Sequence, residues 1–293
     1  MRRLLIIGYG DVAQRAMPWL VERFRVYALV RNASDKVLAR KSGAIPLFAD
    51  LDRPNSLRRL AGIAHCILHT APPPERGSRD ARTRRLVAAL SSRSSLPQRI
   101  SYISTTGVYG NCMGDAVPET RPVRPATARA RRRVDAESVL RRFGARHGCG
   151  VVILRAPGIY AADRLPIERL KRGDPVLAPK DDVFTNHIHA DDLARLAGFV
   201  LFRAGPGRVF NACDDTALRM GDYFDQVADA LKLPRPPRVE RSEAAGRLSA
   251  MTLSFMSESR RILNARVKRE LRTSLRYPTI ADGLRHLGGA EWP

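Results

Sequence analysis

Long apolar segments and paired cysteines are both missing from the 293-residue chain. A membrane-spanning helix needs roughly 20 consecutive apolar residues, and arginines, aspartates or glycines interrupt every apolar run well before that length. The N-terminal segment has four strongly apolar residues before its glycines, too few for a secretory signal. The four cysteines are widely spaced and form no C-x-x-C pair, so the sequence predicts neither a disulfide framework nor a metal site. We expect a soluble, cytoplasmic protein.

Lysine is also scarce, since it accounts for six of the 51 basic residues. The formal net charge of +22 would by itself suggest nucleic acid as a partner. The excess lies in arginine, however, and arginine and alanine together are what a GC-rich genome produces. The densest basic run, residues 121–133, contains no aromatic residue that could stack on bases. The composition therefore argues against nucleic acid as a partner.

Short apolar runs alternate with longer amphipathic stretches in the first half of the chain, a pattern typical of parallel strands joined by helical crossovers. Strands are predicted at residues 4–7, 26–30, 44–48, 65–69, 99–103 and 151–154. Helices are predicted at residues 11–23, 33–42, 53–60, 81–90 and 126–146, with Pro18 expected to kink or shorten the first. The pattern predicts an α/β fold with a Rossmann-like, doubly wound parallel sheet.

The alternation breaks after Leu154, where prolines and glycines become frequent. We expect a Rossmann domain of residues 1–155, on which residues 183–205 pack back, and a smaller C-terminal substrate lobe of residues 156–293. Further predicted elements are a strand and helix over 183–202, a strand at 207–211, a helix at 220–231 and short helices at 257–263 and 279–287.

A glycine turn gives the strongest local signal for a ligand site. The first predicted strand runs into Gly8 and Gly10 and then directly into a helix with Ala13 at its closest approach, a G-x-G-x-x-A spacing. Gly8 permits the tight turn, and Gly10 lets the backbone approach a pyrophosphate. Asp11 and Val12 open the helix, whose N-terminus would face the anion. The alternative is an ordinary turn between a strand and a helix.

A carboxylate is missing where NAD-binding folds commonly have one, at the end of the second strand. Arg31 and Asn32 stand there instead. An arginine can donate charge-assisted hydrogen bonds to a 2′-phosphate, so the sequence favours NADP(H) over NAD(H). The alternative is one more surface arginine.

Further cofactor contacts are predicted where the third and fourth strands end, because ligands bind at the carboxyl edge of such sheets. Asp50 and Leu51 follow the third strand, and the carboxylate of Asp50 could accept from an adenine amino group. Thr70, Ala71 and Pro72 follow the fourth strand and would present backbone to the ribose and pyrophosphate. Each segment could also simply terminate a strand.

Several segments in order along the chain resemble a known superfamily. They are the glycine turn, FADLDR, HTAPPP, ISTTGVYG at residues 103–110, ILRAPGIY, NHIHADDLA at 186–194 and VFNACDD at 209–215. Together they resemble the extended short-chain dehydrogenases/reductases, the NAD(P)-dependent epimerases and dehydratases. The resemblance implies a Rossmann domain with a C-terminal substrate lobe, and a cofactor contact at Pro157.

The same resemblance implies a Ser or Thr that polarises a substrate carbonyl, and a Tyr four residues before a Lys that serves as acid/base. Thr105 occupies the first position, whereas Arg129 and Arg133 stand where the Tyr and Lys belong. A guanidinium stays protonated above pH 12, so Arg129 cannot transfer the proton. Arg133 keeps a positive charge and could hold the nicotinamide ribose or a substrate anion. The sequence therefore resembles an atypical member that retains the cofactor motifs.

Other residues must supply the acid/base if chemistry survives. The candidates are Tyr109, Tyr160, Asp135, His187 and His189, although Tyr109 more often lines the substrate pocket and the histidine segment mostly organises the junction of the lobes in the family. An acidic substrate or nucleotide sugar could contact basic side chains of the C-terminal lobe, which are otherwise ordinary surface residues: Arg169, Lys171, Lys180, Arg260 and Arg261.

Two functions follow as hypotheses. The first is an NADP(H)-dependent carbonyl oxidoreductase or epimerase/dehydratase that uses Thr105, with Tyr109 and Arg133 as further catalytic residues. The alternative is a non-catalytic NADP(H)-binding sensor or partner protein, which the loss of the tyrosine favours. The resemblance also suggests a homodimer through the helices at 81–90 and 126–146, but seven arginines in the second segment make that interface harder to pack.

Overall fold

The structure is a computed structural model that describes residues 1–92 and 95–285. Its strands, numbered in chain order, are β1 (Arg2–Ile7), β2 (Phe24–Val30), β3 (Ile45–Phe48), β4 (Cys66–His69), β5 (Arg99–Thr105), β6 (Ala116–Val117), β7 (Gly150–Ala156), β8 (Gly158–Tyr160), β9 (Val176–Leu177), β10 (Phe184–Thr185), β11 (His187–His189), β12 (Val209–Asn211), β13 (Leu218–Arg219), β14 (Arg238–Val239) and β15 (Arg261–Ile262). Its α-helices are α1 (Asp11–Val21), α2 (Ala33–Lys41), α3 (Ala81–Leu90), α4 (Ala128–His147), α5 (Ile167–Lys171), α6 (Ala190–Arg203), α7 (Met220–Ala230), α8 (Arg241–Arg247), α9 (Ala250–Phe255), α10 (Ala265–Leu271) and α11 (Ile280–Arg285).

Seven parallel strands form the central sheet, in the order β12-β7-β5-β4-β1-β2-β3. The chain winds outward from β1 to β3 and then returns to β4 on the other side of β1. Leu4 accordingly pairs with Val26 on one side and with Cys66 on the other. The predicted Rossmann-like, doubly wound parallel sheet is therefore confirmed, and its switch point lies between β1 and β4.

Both faces of the sheet are covered, which explains why residues 4–7 of β1 form a continuous apolar run rather than an alternating pattern. Leu4 and Ile6 pack in the cluster that contains α1 and α6, whereas Leu5 and Ile7 pack in the cluster that contains α3 and α4. All four side chains are fully buried. This packing leaves the carboxyl ends of the strands as the accessible edge of the sheet.

The C-terminal half contributes to two bodies. The helix α6 packs on α1, and β12 extends the central sheet by pairing with β7. Other segments of this half, among them α5, α7 and α11, surround a separate apolar cluster that includes Tyr160, Leu170, Tyr223 and Phe224. This smaller lobe sits beyond the carboxyl edge of the sheet.

Several sequence predictions need correction. The strand at 207–211 becomes β12, a seventh strand of the sheet where six were expected. The helix predicted at 257–263 is wrong, because this segment ends in the strand β15. This strand pairs with β6, and its Ile262 amide donates to Asn186 Oδ1 at 2.8 Å. The helix predicted at 53–60 is a 3₁₀ helix, Pro54–Leu60.

Other helix ends also differ. The first helix continues past Pro18 and ends at Val21, two residues before its predicted end. The last predicted helix, at 279–287, is represented by α11, and its residues 286 and 287 lie outside the described residues. No helix in the described ranges is both long enough and apolar enough to cross a membrane.

Candidate active site

A cavity of about 1350 Å³ lies between the carboxyl edge of the sheet and the smaller lobe. Its walls come from the loops that follow β1, β2, β3, β4, β5 and β7, and from lobe residues such as Arg169, Phe224 and Phe255. Because all six strands are parallel, their loops converge at this one edge. The predicted position of the site is therefore the position of this cavity.

The glycine turn after β1 is held by close backbone contacts. Gly8 has a φ of +92°, and a Cβ there would lie 2.6 Å from the backbone nitrogen of Ala71. That nitrogen donates to the Ile7 carbonyl at 2.9 Å, and the Thr70 hydroxyl donates to the carbonyls of Ile7 and Gly8. The turn thus admits only glycine at position 8, and the Thr70 hydroxyl holds the turn from within.

Gly10 differs from Gly8 because a Cβ added there would meet no protein atom within 4 Å. Both glycines line the cavity, together with Asp11 and Val12. Gly10 is the N-cap of α1, and no side chain caps the helix. The amides of the first turn therefore face open space beside Gly10, which suits a bound anion.

Asp11 would repel an anion if its charge were not balanced. Its carboxylate accepts from Arg15 Nε at 2.7 Å and from Arg164 Nη1 at 2.8 Å. Arg164 belongs to the lobe and also lines the cavity. These two ion pairs neutralise Asp11 and join the lobe to the first turn of α1.

The structure separates the two residues predicted at the end of β2. Arg31 lines the cavity and is exposed. Asn32 does not line it, and instead caps α2 by accepting from the Asp35 amide at 2.8 Å. The cap engages the Asn32 side-chain oxygen, and the cofactor contact at this residue stays a prediction. Asp35, absent from the predicted contacts, lines the cavity beside Arg31.

The loops after β3 and β4 meet at the same end of the cavity. Asp50 and Leu51 line it, as do Ala71 and Pro72. Arg82 on α3 joins the two loops, since it pairs with Asp52 at 2.6 Å and donates to the Pro72 carbonyl at 3.1 Å. No sequence motif marks Arg82 as part of this site.

Thr105 lies at the opposite end of the cavity, where β5 ends. Its Oγ1 accepts from the Gly107 amide at 3.2 Å, and its hydroxyl proton has no acceptor within the described ranges. Pro157 follows β7 and lines the same cavity. Thr105 is therefore oriented to donate a hydrogen bond to a ligand oxygen.

Arg133 also lines this end of the cavity but is held against the sheet. Its Nη1 donates to Tyr102 Oη at 2.9 Å and to the Ile103 carbonyl at 2.8 Å. These bonds place its charge next to the end of β5, two residues before Thr105.

The structure places Tyr109, which the sequence predicts as a catalytic residue, away from the cavity. The residue is 1% exposed and lies outside the cavity lining. Its hydroxyl donates to Asn211 Oδ1 at 2.7 Å, and the Arg155 guanidinium lies 4.8 Å from the centre of its ring. Burial raises the pKa of Tyr109, which further disfavours proton transfer. The sequence contains no sign that Asn211, on a distant strand, orients this hydroxyl.

Three further acid/base candidates also lie outside the cavity lining. Tyr160 donates to the Thr279 carbonyl at 3.2 Å, and burial raises its pKa. Asp135 is bound to Arg84 at 2.5 Å, and the Nδ1 atom of His189 accepts from the Asp191 amide. All three side chains have structural partners.

His187 does line the cavity. It stacks on Tyr223 with ring centres 4.0 Å apart, and its Nδ1 atom has no hydrogen-bond partner among the described residues. Burial lowers the pKa of His187 to about 3. The imidazole is therefore neutral at physiological pH, where it can give a hydrogen bond but carries no acidic proton to transfer.

The basic residues predicted for the lobe divide into two groups. Arg169 and Arg260 line the cavity, whereas Arg261, Lys171 and Lys180 do not. Arg261 donates to the Gly114 carbonyl at 2.7 Å, and the two lysines pair with glutamates on the surface. An anionic ligand could therefore contact two of the five residues.

Arg129, which replaces the expected tyrosine, extends into the cavity. Its guanidinium carbon lies 4.4 Å from the centre of the Phe255 ring. Glu258 lies on the same wall and accepts from Arg260 Nη1 at 2.6 Å. Sequence reasoning did not identify Phe255 or Glu258, because they are more than 120 residues away along the chain and belong to no motif.

A buried ion pair lies beneath this end of the site. Glu137 on α4 and Arg155 on β7 are joined at 2.6 Å, and both side chains are 5% exposed. Ser104, next to Thr105, donates to the same carboxylate at 2.6 Å. The pair therefore connects α4 and β7 to the residue that precedes Thr105. Within the described ranges, no group of three or more His, Cys, Asp or Glu is placed to hold a metal ion.

Comparison with known proteins identifies the family of the chain. The model of the NAD-dependent epimerase/dehydratase family matches residues 20–213. A conserved protein of unknown function from Silicibacter pomeroyi DSS is 30% identical, with a TM-score of 0.83 and 98% of each chain covered. No curated protein matches the sequence.

More distant solved structures share the fold. The UDP-glucose 4-epimerase of Thermotoga maritima, solved with UDP-glucose, is 16% identical, with a TM-score of 0.77 and coverage of 97% of this chain and 96% of the other. The UDP-glucuronic acid 4-epimerase of Bacillus cereus, solved with NAD, is 16% identical, with a TM-score of 0.74 and 96% of each chain covered. The chain belongs to the NAD-dependent epimerase/dehydratase family.

Proposed function

We propose that the protein is an NADP(H)-binding, atypical short-chain dehydrogenase/reductase that acts on the carbonyl or carbinol group of a small molecule. The observation that carries this proposal is the course of the cavity. It runs from Arg31, past Gly8 and Gly10 at the start of α1, to Thr105 at the end of β5. The family supports a nicotinamide cofactor.

The residues present fit a dinucleotide phosphate. The open space in front of Gly10 would admit a pyrophosphate, which the free amides of the first turn of α1 would bind. Arg31 has no hydrogen-bond or ion-pair partner among the residues described, so its guanidinium is available to a 2′-phosphate. Asp50 and Leu51 would contact the adenosine.

At the other end, Thr105 binds and polarises the substrate oxygen through its hydroxyl. When bound, the reduced nicotinamide supplies a hydride to the carbonyl carbon. Arg133 stabilises negative charge that develops on the oxygen, because its guanidinium stays protonated. Arg129 cannot donate the proton, so we assign that proton to water that enters the open cavity.

The cofactor assignment is tested by thermal-shift titration with NADPH, NADP, NADH and NAD. A ligand at about 100 times its dissociation constant stabilises the folded state by about 2.7 kcal/mol, which corresponds to a shift of several degrees. We expect a shift with the phosphorylated cofactors that Arg31→Ala removes. Asp35→Asn should strengthen their binding, because it removes a carboxylate beside the phosphate site.

Arg40→Ala is the matched control, since Arg40 is exposed on α2 and lies outside the cavity lining. It should leave all four titrations unchanged. Equal shifts for NADH and NADPH, or a shift that survives Arg31→Ala, would contradict the preference for NADP(H). The absence of a shift with any of the four would contradict the cofactor site itself.

A second function, cofactor binding without turnover, is favoured by one observation. The side chains that could transfer a proton are engaged elsewhere or neutral, as Tyr109, Tyr160, Asp135 and His187 are. A sensor or partner protein would bind NADPH but would not oxidise it, whichever carbonyl compound or nucleotide sugar is added. Oxidation of NADPH by such a compound, at a rate that Thr105→Val lowers about 100-fold, would instead support the hypothesis that the protein is an enzyme.

Two further expectations concern the cellular location and the oligomeric state. We infer a cytoplasmic location, and a homodimer through α3 and α4 as the resemblance suggests. Light scattering on the purified chain distinguishes a monomer from a dimer. Charge reversal at Arg141, which is exposed on α4, should alter a dimer that uses this face.

A further inference from the structure

Two arginines in the cavity make no hydrogen bond or ion pair with the residues that the structure describes. Eight arginines line it: Arg31, Arg82, Arg129, Arg132, Arg133, Arg164, Arg169 and Arg260. Six of them donate hydrogen bonds to carboxylates, to backbone carbonyls or to a tyrosine hydroxyl. Arg31 and Arg129 make neither a hydrogen bond nor an ion pair with any residue in the described ranges. The proposed function assigns Arg31 to the cofactor and leaves Arg129 without a ligand.

The orientation of Arg129 suits a planar anion. Its guanidinium lies over the Phe255 ring, with the central carbon 4.4 Å from the ring centre. Its N–H groups donate no hydrogen bond to any residue in the described ranges, so they are available to a ligand. A guanidinium binds a carboxylate through two parallel hydrogen bonds.

The charges around Arg129 also favour an anion. Arg132, Arg133 and Arg260 lie on the same wall, and the carboxylate of Glu258 there is already bound to Arg260 at 2.6 Å. Burial lowers the pKa of Arg129; Glu258 opposes that shift, and the neighbouring arginines add to it. An incoming anion would relieve the repulsion among four guanidinium groups.

Glu258 supplies an independent sign of a ligand. Its side chain is 9% exposed and lines the cavity. Oε2 accepts from Arg260, but Oε1 is buried and has no hydrogen-bond partner among the described residues. A buried acceptor without a donor is costly unless a ligand completes it. A hydroxyl group on the ligand would do so.

We propose that this end of the cavity binds a hydroxylated organic acid or its oxo form, with the carboxylate on Arg129 and a hydroxyl group on Glu258. The inference rests on the proposed function, because Thr105 would then face the reacting carbon. Arg129 lies one helical turn, about 6 Å, from Arg133, whose guanidinium contacts the end of β5 beside Thr105. The carboxylate and the reacting carbon are therefore close together in the substrate.

The test is calorimetric titration of the protein after NADPH has been bound. Glycerate has a carboxylate and two hydroxyls, and glyceramide is its neutral match. We expect glycerate to bind at least about tenfold more tightly than glyceramide, since hydrogen bonds to charged groups exceed neutral ones by about that factor. Arg129→Gln should weaken glycerate binding by a similar factor, and Arg129→Lys by less because it keeps the charge.

Arg146→Gln is the matched control, because Arg146 lies on the same helix, is exposed and is outside the cavity lining. It should leave both titrations unchanged. The proposal is overturned if glycerate does not bind, if glycerate and glyceramide bind equally, or if Arg129→Gln binds glycerate like the wild type. Preferential binding of glycerol 3-phosphate or UDP would also overturn it, in favour of a phosphorylated substrate.

The first step of the titration separates this inference from the proposed function. Failure of NADPH to bind would refute the cofactor site, and glycerate would then be titrated alone to test Arg129. Normal NADPH binding without discrimination between the two probes would refute the role of Arg129 only. The unfolding temperatures of Arg129→Gln and Arg129→Lys without ligand show whether each variant is folded.

Discussion

Replacing Glu137 with glutamine should destabilise the protein severely, although the two side chains have nearly the same shape. Glu137 and Arg155 are each 5% exposed, and the carboxylate accepts two hydrogen bonds from the guanidinium and one from Ser104. Glu137→Gln leaves the charge of Arg155 buried without a counter-ion. Breaking a buried pair in this way costs about 3–5 kcal/mol of unfolding free energy, which corresponds to a fall in Tm on the order of 10 °C.

The assay is equilibrium unfolding in urea, with three further variants. Glu137→Gln combined with Arg155→Met removes both charges and should lose less stability than Glu137→Gln alone, because no unpaired charge remains. The control is Asp229→Asn. Asp229 and Arg235 make a similar two-bond pair at the surface, with side chains 51% and 63% exposed, where solvent weakens the interaction.

Arg155→Met alone completes the double-mutant cycle. The reasoning would be refuted if Glu137→Gln cost no more than Asp229→Asn, or if the double variant were less stable than either single one. NADPH binding measured in the same variants reports on the site, since Ser104 precedes Thr105. We expect weaker binding in Glu137→Gln wherever the variant remains folded.

Three other predictions concern the turn, a helix contact and pH. Gly8→Ala should lower the free energy of unfolding by about 1–3 kcal/mol through backbone strain and its clash with Ala71, and it should abolish cofactor binding. Gly10→Ala should weaken NADPH binding with little loss of stability, because its Cβ meets no protein atom. Thermal unfolding with and without NADPH checks both, and equal stability of the two variants would contradict the argument. Gly198→Ala should cost about 1–3 kcal/mol, because its Cβ would lie 2.7 Å from Trp19 Cζ3, and Trp19→Phe should restore part of the loss in urea unfolding. His187 has a pKa of about 3 in the folded protein and an ordinary value near 6.5 when unfolded, so below pH 6.5 the unfolded state binds a proton that the folded state does not, and stability falls as the pH falls. Between pH 7 and pH 5 the free energy of unfolding of His187→Gln should therefore fall by about 2 kcal/mol less than that of the wild type. Identical pH dependences of stability in the two proteins would contradict a neutral His187.

Local sequence was sufficient for the parallel sheet and for the turn at its centre. Strands such as β1 are buried on both faces, so each appears as an uninterrupted apolar run. Gly8 could be assigned because a positive φ and a close backbone neighbour both require glycine, and that requirement is local to the turn. Arg31 could be singled out because it directly follows a predicted strand, whereas Thr105 was identified through the resemblance of ISTTGVYG to the family.

Only the tertiary structure decided which side chains share the reaction end of the cavity. Tyr109 turns away because Asn211, 102 residues further along the chain, accepts its hydroxyl. The segment that ends in β15 is extended rather than helical because β6 and Asn186 provide its partners. Phe255 and Glu258 approach Arg129 from the C-terminal lobe. Sequence alone thus determined the sheet and the glycine turn, whose requirements lie within a few neighbouring residues, and the fold decided the substrate end, whose contacts join residues more than 100 positions apart.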